Sequence, residues 1–261
     1  MNLDLYAYLA RYAVAFTLVL VRVGFLLAFL PIFGSRMVPA KIKAAGALIL
    51  ALILTPLVVE RVSPPQNGWA YLLMLLPEAL LGLSLAFLIR LVFAGIQFGG
   101  QLLGFQMGFG VANIIDPATG VETPVLSQMI YLMALLFFLI FDIHHYFFLA
   151  LGESLKLFPP GKISAPERIF ILLVNQGEEI FRLAIKVLAP ALAILLLIQI
   201  ALGIVSRFVP QINVMIVSFP LTIGVGLIFF GLTLEILGRV LEPSYQEAVR
   251  ALPGIIRAFG R

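Results

Sequence analysis

The chain has 261 residues, 62% of them hydrophobic and only 11% charged, with mean hydropathy +1.12, a net charge of +4 and no cysteine. A soluble domain carries about a quarter of its residues charged, so this composition excludes a free-standing soluble globule and indicates an integral membrane protein or a subunit buried in a membrane assembly. Lack of cysteine excludes disulfides and thiolate metal sites, and the basic residues are scattered over loops and tail, so no nucleic-acid partner is expected.

Apolar segments that reach or approach bilayer length run near 12–33, 44–59, 69–97, 128–151, 183–205 and 214–237, which predicts an all-α fold of about six long helices. The first is too long for a signal peptide and lacks a small-residue cleavage site, so it reads as a helix. It carries Arg22 near its middle. The second is short and meets Pro56. The third is overlong. In it Glu78 follows Pro77, the favoured proline position at a helix start, so a helix beginning there puts Glu78 at its positive end, with Arg90 about three turns on. Charges inside apolar segments are costly and face protein or water. Arg22, Glu78 and Arg90 therefore point to buried ion pairing or to a proton or ion relay.

The third segment leads into FAGIQFGGQLLGFQMGFGVANIIDPATGVETPVLSQ, residues 93–128. Gly100, Gly104 and Gly108 repeat every fourth residue, a bare helix face against which another backbone packs closely. Helical character then fails at Gly110, Asn113, Asp116, Pro117 and Gly120. Yet Met107, Phe109, Val111, Ile114 and Ile115 are too apolar for a solvated loop, and irregular backbone at membrane depth must be buried in protein or line a cavity. Two readings stand. One is a plug or gate loop over 99–127, formed by Met107, Phe109, Gly110, Val111, Ile114, Ile115, Asp116, Pro117 and Gly120; the other is a glycine-rich helix contact followed by a long connector.

Further on, Asp142-Ile143-His144-His145 invites a metal reading. Adjacent histidines on a helix point about 100° apart, whereas the zinc-protease signature sets them four apart with a glutamate between. No metal is expected, and Asp142 and His145, which share a face, are expected as a buried hydrogen-bonded pair. Neither a phosphate loop, a nucleophile elbow nor a paired-carboxylate motif occurs, so neither a cofactor nor an enzymatic activity is expected. The stretch 152–182 holds Pro159-Pro160-Gly161 and then an amphipathic run, 165–182, with Glu178 and Glu179 ahead of Arg182 in the favourable order for helix ion pairs. The tail from Gly238 reads as interfacial, with Leu252, Ile255, Ile256 and Phe259 as its apolar contacts. Arg11, Arg61, Lys156, Lys162 and the tail arginines outnumber Arg36, Lys41, Lys43 and Arg207 on the alternate side, which predicts both termini in the cytoplasm.

Three stretches, in order, carry a family resemblance: Asp116-Pro117-Ala118-Thr119-Gly120 with Pro124, Leu126 and Ser127; Asp142-Ile143-His144-His145, where the family reads Asp-Gly-His-His; and Arg207 to Val214 followed by Ser218-Phe219-Pro220-Leu221. Together they resemble the FliR-like export-gate family of flagellar and injectisome type III secretion. The resemblance implies a core subunit, present as a single copy, of a helical gate in the bacterial inner membrane at the flagellar basal body, joined to FliP-like and FliQ-like subunits and fed with unfolded protein substrates by FlhA-like and FlhB-like components. It implies broken, tilted helical hairpins in a membrane-associated bundle, with residues 1–177 as a FliP-like part and 178–261 as a FliQ-like hairpin. It favours the plug reading, an apolar constriction sealed by dewetting, with Gly108, Gly110 and Gly120 as hinges. The rival is a small-solute secondary transporter with Arg22, Glu78, Arg90 and Asp142 as its coupling path, which predicts an inverted repeat between two halves; none is visible. An intramembrane protease lacks its ligands.

Overall fold

Each apolar run becomes helix, as it must where no water can satisfy exposed backbone groups. The structure, a computed structural model, describes residues 2–34, 38–109, 125–162, 168–209, 211 and 214–260. Helix α1 is Asn2–Phe29, followed by the single turn α2, Pro31–Gly34. Helix α3, Ala40–Leu54, tightens into 3-10 turns at Thr55–Leu57 and Val59–Arg61. Helix α4 is Gly68–Gln106, α5 Val125–Ile140, α6 Ile143–Leu157, α7 Arg168–Phe208 and α8 Val214–Ala258. The fold is all-α, with no strand among the described residues. Five helices are long and apolar enough to cross a membrane, six if α5 and α6 are counted as one span.

Several helices outrun their sequence-based limits. The helix carrying Glu78 does not begin at Pro77: Pro77 lies inside α4, which starts nine residues earlier, at Gly68. The start is set by Asn67, whose Oδ1 accepts from the Ala70 N–H at 2.7 Å, a side-chain cap on an otherwise unsatisfied donor. The amphipathic run 165–182 is not a separate element. From Arg168 it continues through Pro190 to Phe208 as α7, with Arg182 Nη2 donating to Glu178 Oε1 at 2.8 Å, one turn back. The fourth expected span is cut in two at Asp142, which takes φ +54°, the left-handed conformation that ends one helix before the next starts. The tail is part of α8, and its apolar stripe of Leu252, Ile255, Ile256 and Phe259 is buried in protein instead of being offered to a membrane surface.

The chain divides into two compact units, each assembled from separated stretches. Unit 1 comprises Met1–Leu91, Asp142–Gln176 and Tyr245–Arg261. Its interior holds Leu18, Val23 and Leu26 of α1, Leu81, Leu85 and Ile89 of α4, Phe147 and Leu151 of α6, and Tyr245 and Ile256 of α8. Within it α1 and α4 run side by side in the same direction: the hydroxyl of Thr17 meets that of Tyr71, and Gly82 lets the Arg22 carbonyl approach where a Cβ would collide with it. Between the middle of α1 and the first turns of α4, Ala15, Leu18, Val59 and Val62 form an apolar cluster with Tyr12 and Met74.

Unit 2 comprises Val92–Phe141 and Gly177–Ser244. Its axis is the glycine-rich half of α4. Gly99 faces α7, where a Cβ would stand 2.9 Å from Leu188 Cδ1 and 3.1 Å from the Ala184 carbonyl. Gly100 faces α5, where a Cβ would stand 2.6 Å from the Ser127 Cα. Ser127 Oγ donates to the Gln97 carbonyl at 3.0 Å across the same contact. Phe93 adds edge-on ring contacts to Tyr131 and Phe138 at 5.4 and 5.7 Å. Lipid tails are as apolar as leucine, so close packing of this kind, not transfer out of water, holds such helices together.

Candidate functional site

Two constellations draw together residues that the sequence marks for function. The first lies in unit 2, where α4 ends. Met107 N still donates to the Leu103 carbonyl at 3.0 Å, but Gly108 turns to φ +92° and its N–H reaches back to Phe105 O at 3.0 Å. This is a helix C-terminus closed by a left-handed glycine. Gly108 is thus not the third member of a bare helix face, as its spacing suggests; it is where the face stops. Gly100 and Gly104 are both buried within α4. Around the terminus Met107 is fully buried and Phe109 is exposed. The carbonyl of Gln106 accepts from Gln199 Nε2 at 3.3 Å, and that of Met107 lies 3.3 Å from Thr222 Oγ1. These are carbonyls that a helix end otherwise leaves unpaired. The remaining expected gate residues, Gly110, Val111, Ile114, Ile115, Asp116, Pro117 and Gly120, lie outside the described residues.

The second constellation is in unit 1. Arg22 and Glu78 are both fully buried. Arg22 Nε donates to Glu78 Oε2 at 2.6 Å, and Nη2 sits at 2.6 Å from the same oxygen. The other guanidinium contacts are Nη1 to Ser154 Oγ at 3.1 Å and Nη2 to the Phe158 carbonyl at 3.2 Å. Glu78 Oε1 accepts the Gly161 N–H at 2.8 Å, and Gly161 takes φ +82° to present it. The Ser154 hydroxyl in turn donates to the Leu151 carbonyl at 2.7 Å. A buried ion pair survives only when its remaining donors and acceptors are also met, and here α1, α4, α6 and the turn after α6 each supply a partner. The sequence marked Arg22 and Glu78, but Ser154, Phe158 and Gly161 are missed by it; Pro159-Pro160-Gly161 was the available signal.

Three further residues expected in buried pairs are not buried. Arg90 is exposed and lays its guanidinium over the Phe29 ring, 5.3 Å from the centroid, where a cation gains from the ring face. Asp142 and His145 do pair, Oδ1 to Nδ1 at 3.2 Å, but at 69% and 64% side-chain exposure. The left-handed turn at Asp142 puts both at the outer start of α6, off the packed face that Ile143 and Phe147 occupy. The two histidines also stand closer than mid-helix spacing suggests. Because α6 only begins here, the His144 and His145 rings come to 4.1 Å, tilted by 34°, and with Asp142 their ligand-type atoms lie within 4.8 Å of one another. Their ligand atoms are thus close enough together that the three residues could hold a metal ion.

The profile of the family described as Bacterial export proteins, family 1, matches residues 13–248. The chain is 32% identical over 249 residues to the flagellar biosynthetic protein FliR of Bacillus subtilis (strain 168), covering 94% of this chain and 96% of that one. It is 29% identical over 237 residues to FliR of Escherichia coli (strain K12), covering 91% and 90%, and 28% identical over 241 residues to FliR of Aquifex aeolicus (strain VF5), covering 91% of each. The match thus takes in both constellations and runs through every helix from α1 to α8. With its all-α, membrane-length helices, the chain belongs to the bacterial export proteins, family 1.

Proposed function

We propose that this chain is a core subunit of the flagellar type III export gate, and that the segment leaving α4 at Gly108 closes the channel through which unfolded substrates pass. The observation that carries the reading is the end of α4: a fully buried methionine followed by a left-handed glycine, where apolar sequence leaves the helix. The sequence that follows is apolar yet rich in turn residues; irregular backbone at membrane depth is tolerated only inside protein or along a cavity, and an apolar constriction stops ions by excluding water. The end-to-end likeness to proteins named flagellar biosynthetic protein FliR supports the wider role.

On this reading the partners are FliP-like and FliQ-like subunits, with FlhA-like and FlhB-like components delivering substrate, in the bacterial inner membrane at the flagellar basal body. Residues 1–177 act as the FliP-like part and 178–261 as the FliQ-like hairpin, whose apolar side chains Leu196, Leu197, Ile200, Ile228 and Leu232 are exposed in the single chain and available for subunit contacts. The chain acts by holding and sealing a conduit, without catalysis. Affinity purification of the tagged chain from its own membranes tests the assembly. Recovery of FliP-like and FliQ-like proteins supports it; recovery of the chain alone, with solute uptake by the reconstituted protein, overturns it.

A further inference from the structure

We infer that Asp142, His144 and His145, at the break before α6, form a binding site for a divalent transition-metal cation of the zinc class, which ties the left-handed residue to the first turn of the helix. The site lies wholly within unit 1 and is independent of the export reading. Asp142 Oδ1 and His145 Nδ1 are 3.2 Å apart. Two ligands on one zinc, each at roughly 2.0–2.2 Å, stand about 3.4 Å from one another at tetrahedral angles, so this pair already has the spacing of neighbouring ligands. One ligand atom from each of the three residues lies within 4.8 Å of the others. The His144 and His145 rings are 4.1 Å apart between centroids and tilted by 34°, so rotation about side-chain bonds brings the set to a common point without moving backbone. Asp142 and His145, at 69% and 64% side-chain exposure, have room for that rotation.

Adjacent positions inside a helix point about 100° apart, which is why spacing in the sequence argues against these ligands. The break removes that objection, because Asp142 takes φ +54° and precedes α6. An aspartate in this place ordinarily gives its carboxylate to an unpaired N–H of the first turn. Asp142 makes no such bond, and its oxygen meets His145 instead. Ile143 turns into the protein at 3% exposure, which leaves Asp142 and His145 outside with His144 half-buried beside them. Two imidazoles and one carboxylate suit zinc and its first-row neighbours, whereas magnesium and calcium favour sets of oxygen ligands. Three protein ligands leave a tetrahedral ion one position for water. The chain has two histidines and no cysteine, so this subunit offers such an ion no other imidazole and no thiolate.

The test uses the full chain in detergent, purified through a tag without histidine, stripped with a chelator and titrated calorimetrically with Zn2+ or Mg2+. Saturable binding of one zinc per chain is expected, with no comparable binding of magnesium. Zinc is expected to raise the unfolding temperature by a few degrees, because an ion that binds only the folded state stabilises it. It is also expected to shield both histidines from diethylpyrocarbonate, read by mass spectrometry. His144→Gln and His145→Gln should each weaken zinc at least about tenfold, the smaller end of what loss of even an outer-shell partner costs. Asp142→Gly keeps the left-handed turn and removes the carboxylate, so it should weaken zinc equally while leaving the metal-free protein as stable as before. Absence of saturable binding by the folded chain overturns the site. So does binding that survives replacement of both histidines, which marks an adventitious ion only. Equal binding of Mg2+ overturns the zinc class, and unchanged affinity in Asp142→Gly overturns the carboxylate as a ligand. Binding without a rise in unfolding temperature overturns the tie to α6.

Discussion

Arg22 donates to Glu78 at 2.6 Å with both side chains fully buried, and the pair is the only contact through which α1 and α4 exchange opposite charges among the described residues. Removing one partner strands the other in an apolar interior, which costs about 3–5 kcal/mol, whereas replacing both with apolar groups of similar volume is often neutral. Arg22→Met and Glu78→Leu singly are expected to lower the thermal unfolding temperature in detergent and the steady-state amount in membranes, and the double variant to recover most of the loss. Arg22→Lys should fall between, since an ammonium cannot reach Glu78, Ser154 and the Phe158 carbonyl together. Equal stability of singles and double would show that packing, not charge, holds this site.

The same pair marks the limit of what the sequence discloses. A charge in the middle of an apolar run is legible because its cost is local and its burial follows from composition. Its partners are not, because they come from a turn 83 residues beyond Glu78, and no periodicity connects Gly161 to α4. Helix existence was legible for the same local reason, while helix ends were not. Asn67 lies outside the apolar window that defines α4, and Pro77 imitates a start signal although α4 runs through it. Gly108 reads as the third of an i+4 series until its backbone angle is known. The exposure of Arg90, Asp142 and His145 in the single chain is not legible either, because composition says that a charge needs a partner but not whether a helix break or an aromatic ring carries it to the surface.

Gly100 tests the close packing of unit 2. Its missing Cβ would stand 2.6 Å from the Ser127 Cα, a backbone atom that cannot swing aside as a side chain can. Gly100→Leu is expected to separate α4 from α5 and abolish co-purification with partner subunits. Gly24→Ala is the matched control, with nothing within 4 Å of its Cβ, and should be neutral or gain up to about 1 kcal/mol from helix propensity. If both variants assemble alike, the α4–α5 contact is wrongly identified as a determinant of the fold.

Gly108 carries two constraints that can be separated. Its φ of +92° disfavours any side chain, and the Phe219 ring fills the space that even a methyl group would need. Gly108→Ala alone should misdirect the segment that follows Met107 and raise resting ion conductance in cells carrying the full gate. Adding Phe219→Ala removes the collision and leaves the backbone strain, so the double variant should leak less than Gly108→Ala if crowding dominates and equally if the angle does. Normal assembly with unchanged conductance in both would remove the gate role from this end of α4.

Asp142 distinguishes backbone from charge in the same way. It takes a left-handed φ of +54°, unusual for a residue other than glycine, and pairs with His145 only across an exposed surface. Exposed pairs contribute about 0–1 kcal/mol, while forcing a branched side chain into the left-handed region costs about 1–2 kcal/mol. Asp142→Asn, which loses the charge but tolerates the angle, should therefore cost little. Asp142→Gly should be neutral or slightly stabilising, and Asp142→Val should be the damaging change, all read as shifts in unfolding temperature in detergent. The order matters because glycine occupies the neighbouring position, 143, in the family pattern, whereas this chain has a buried isoleucine there. If Asn proves as harmful as Val, the carboxylate and not the turn is what α6 requires at its start.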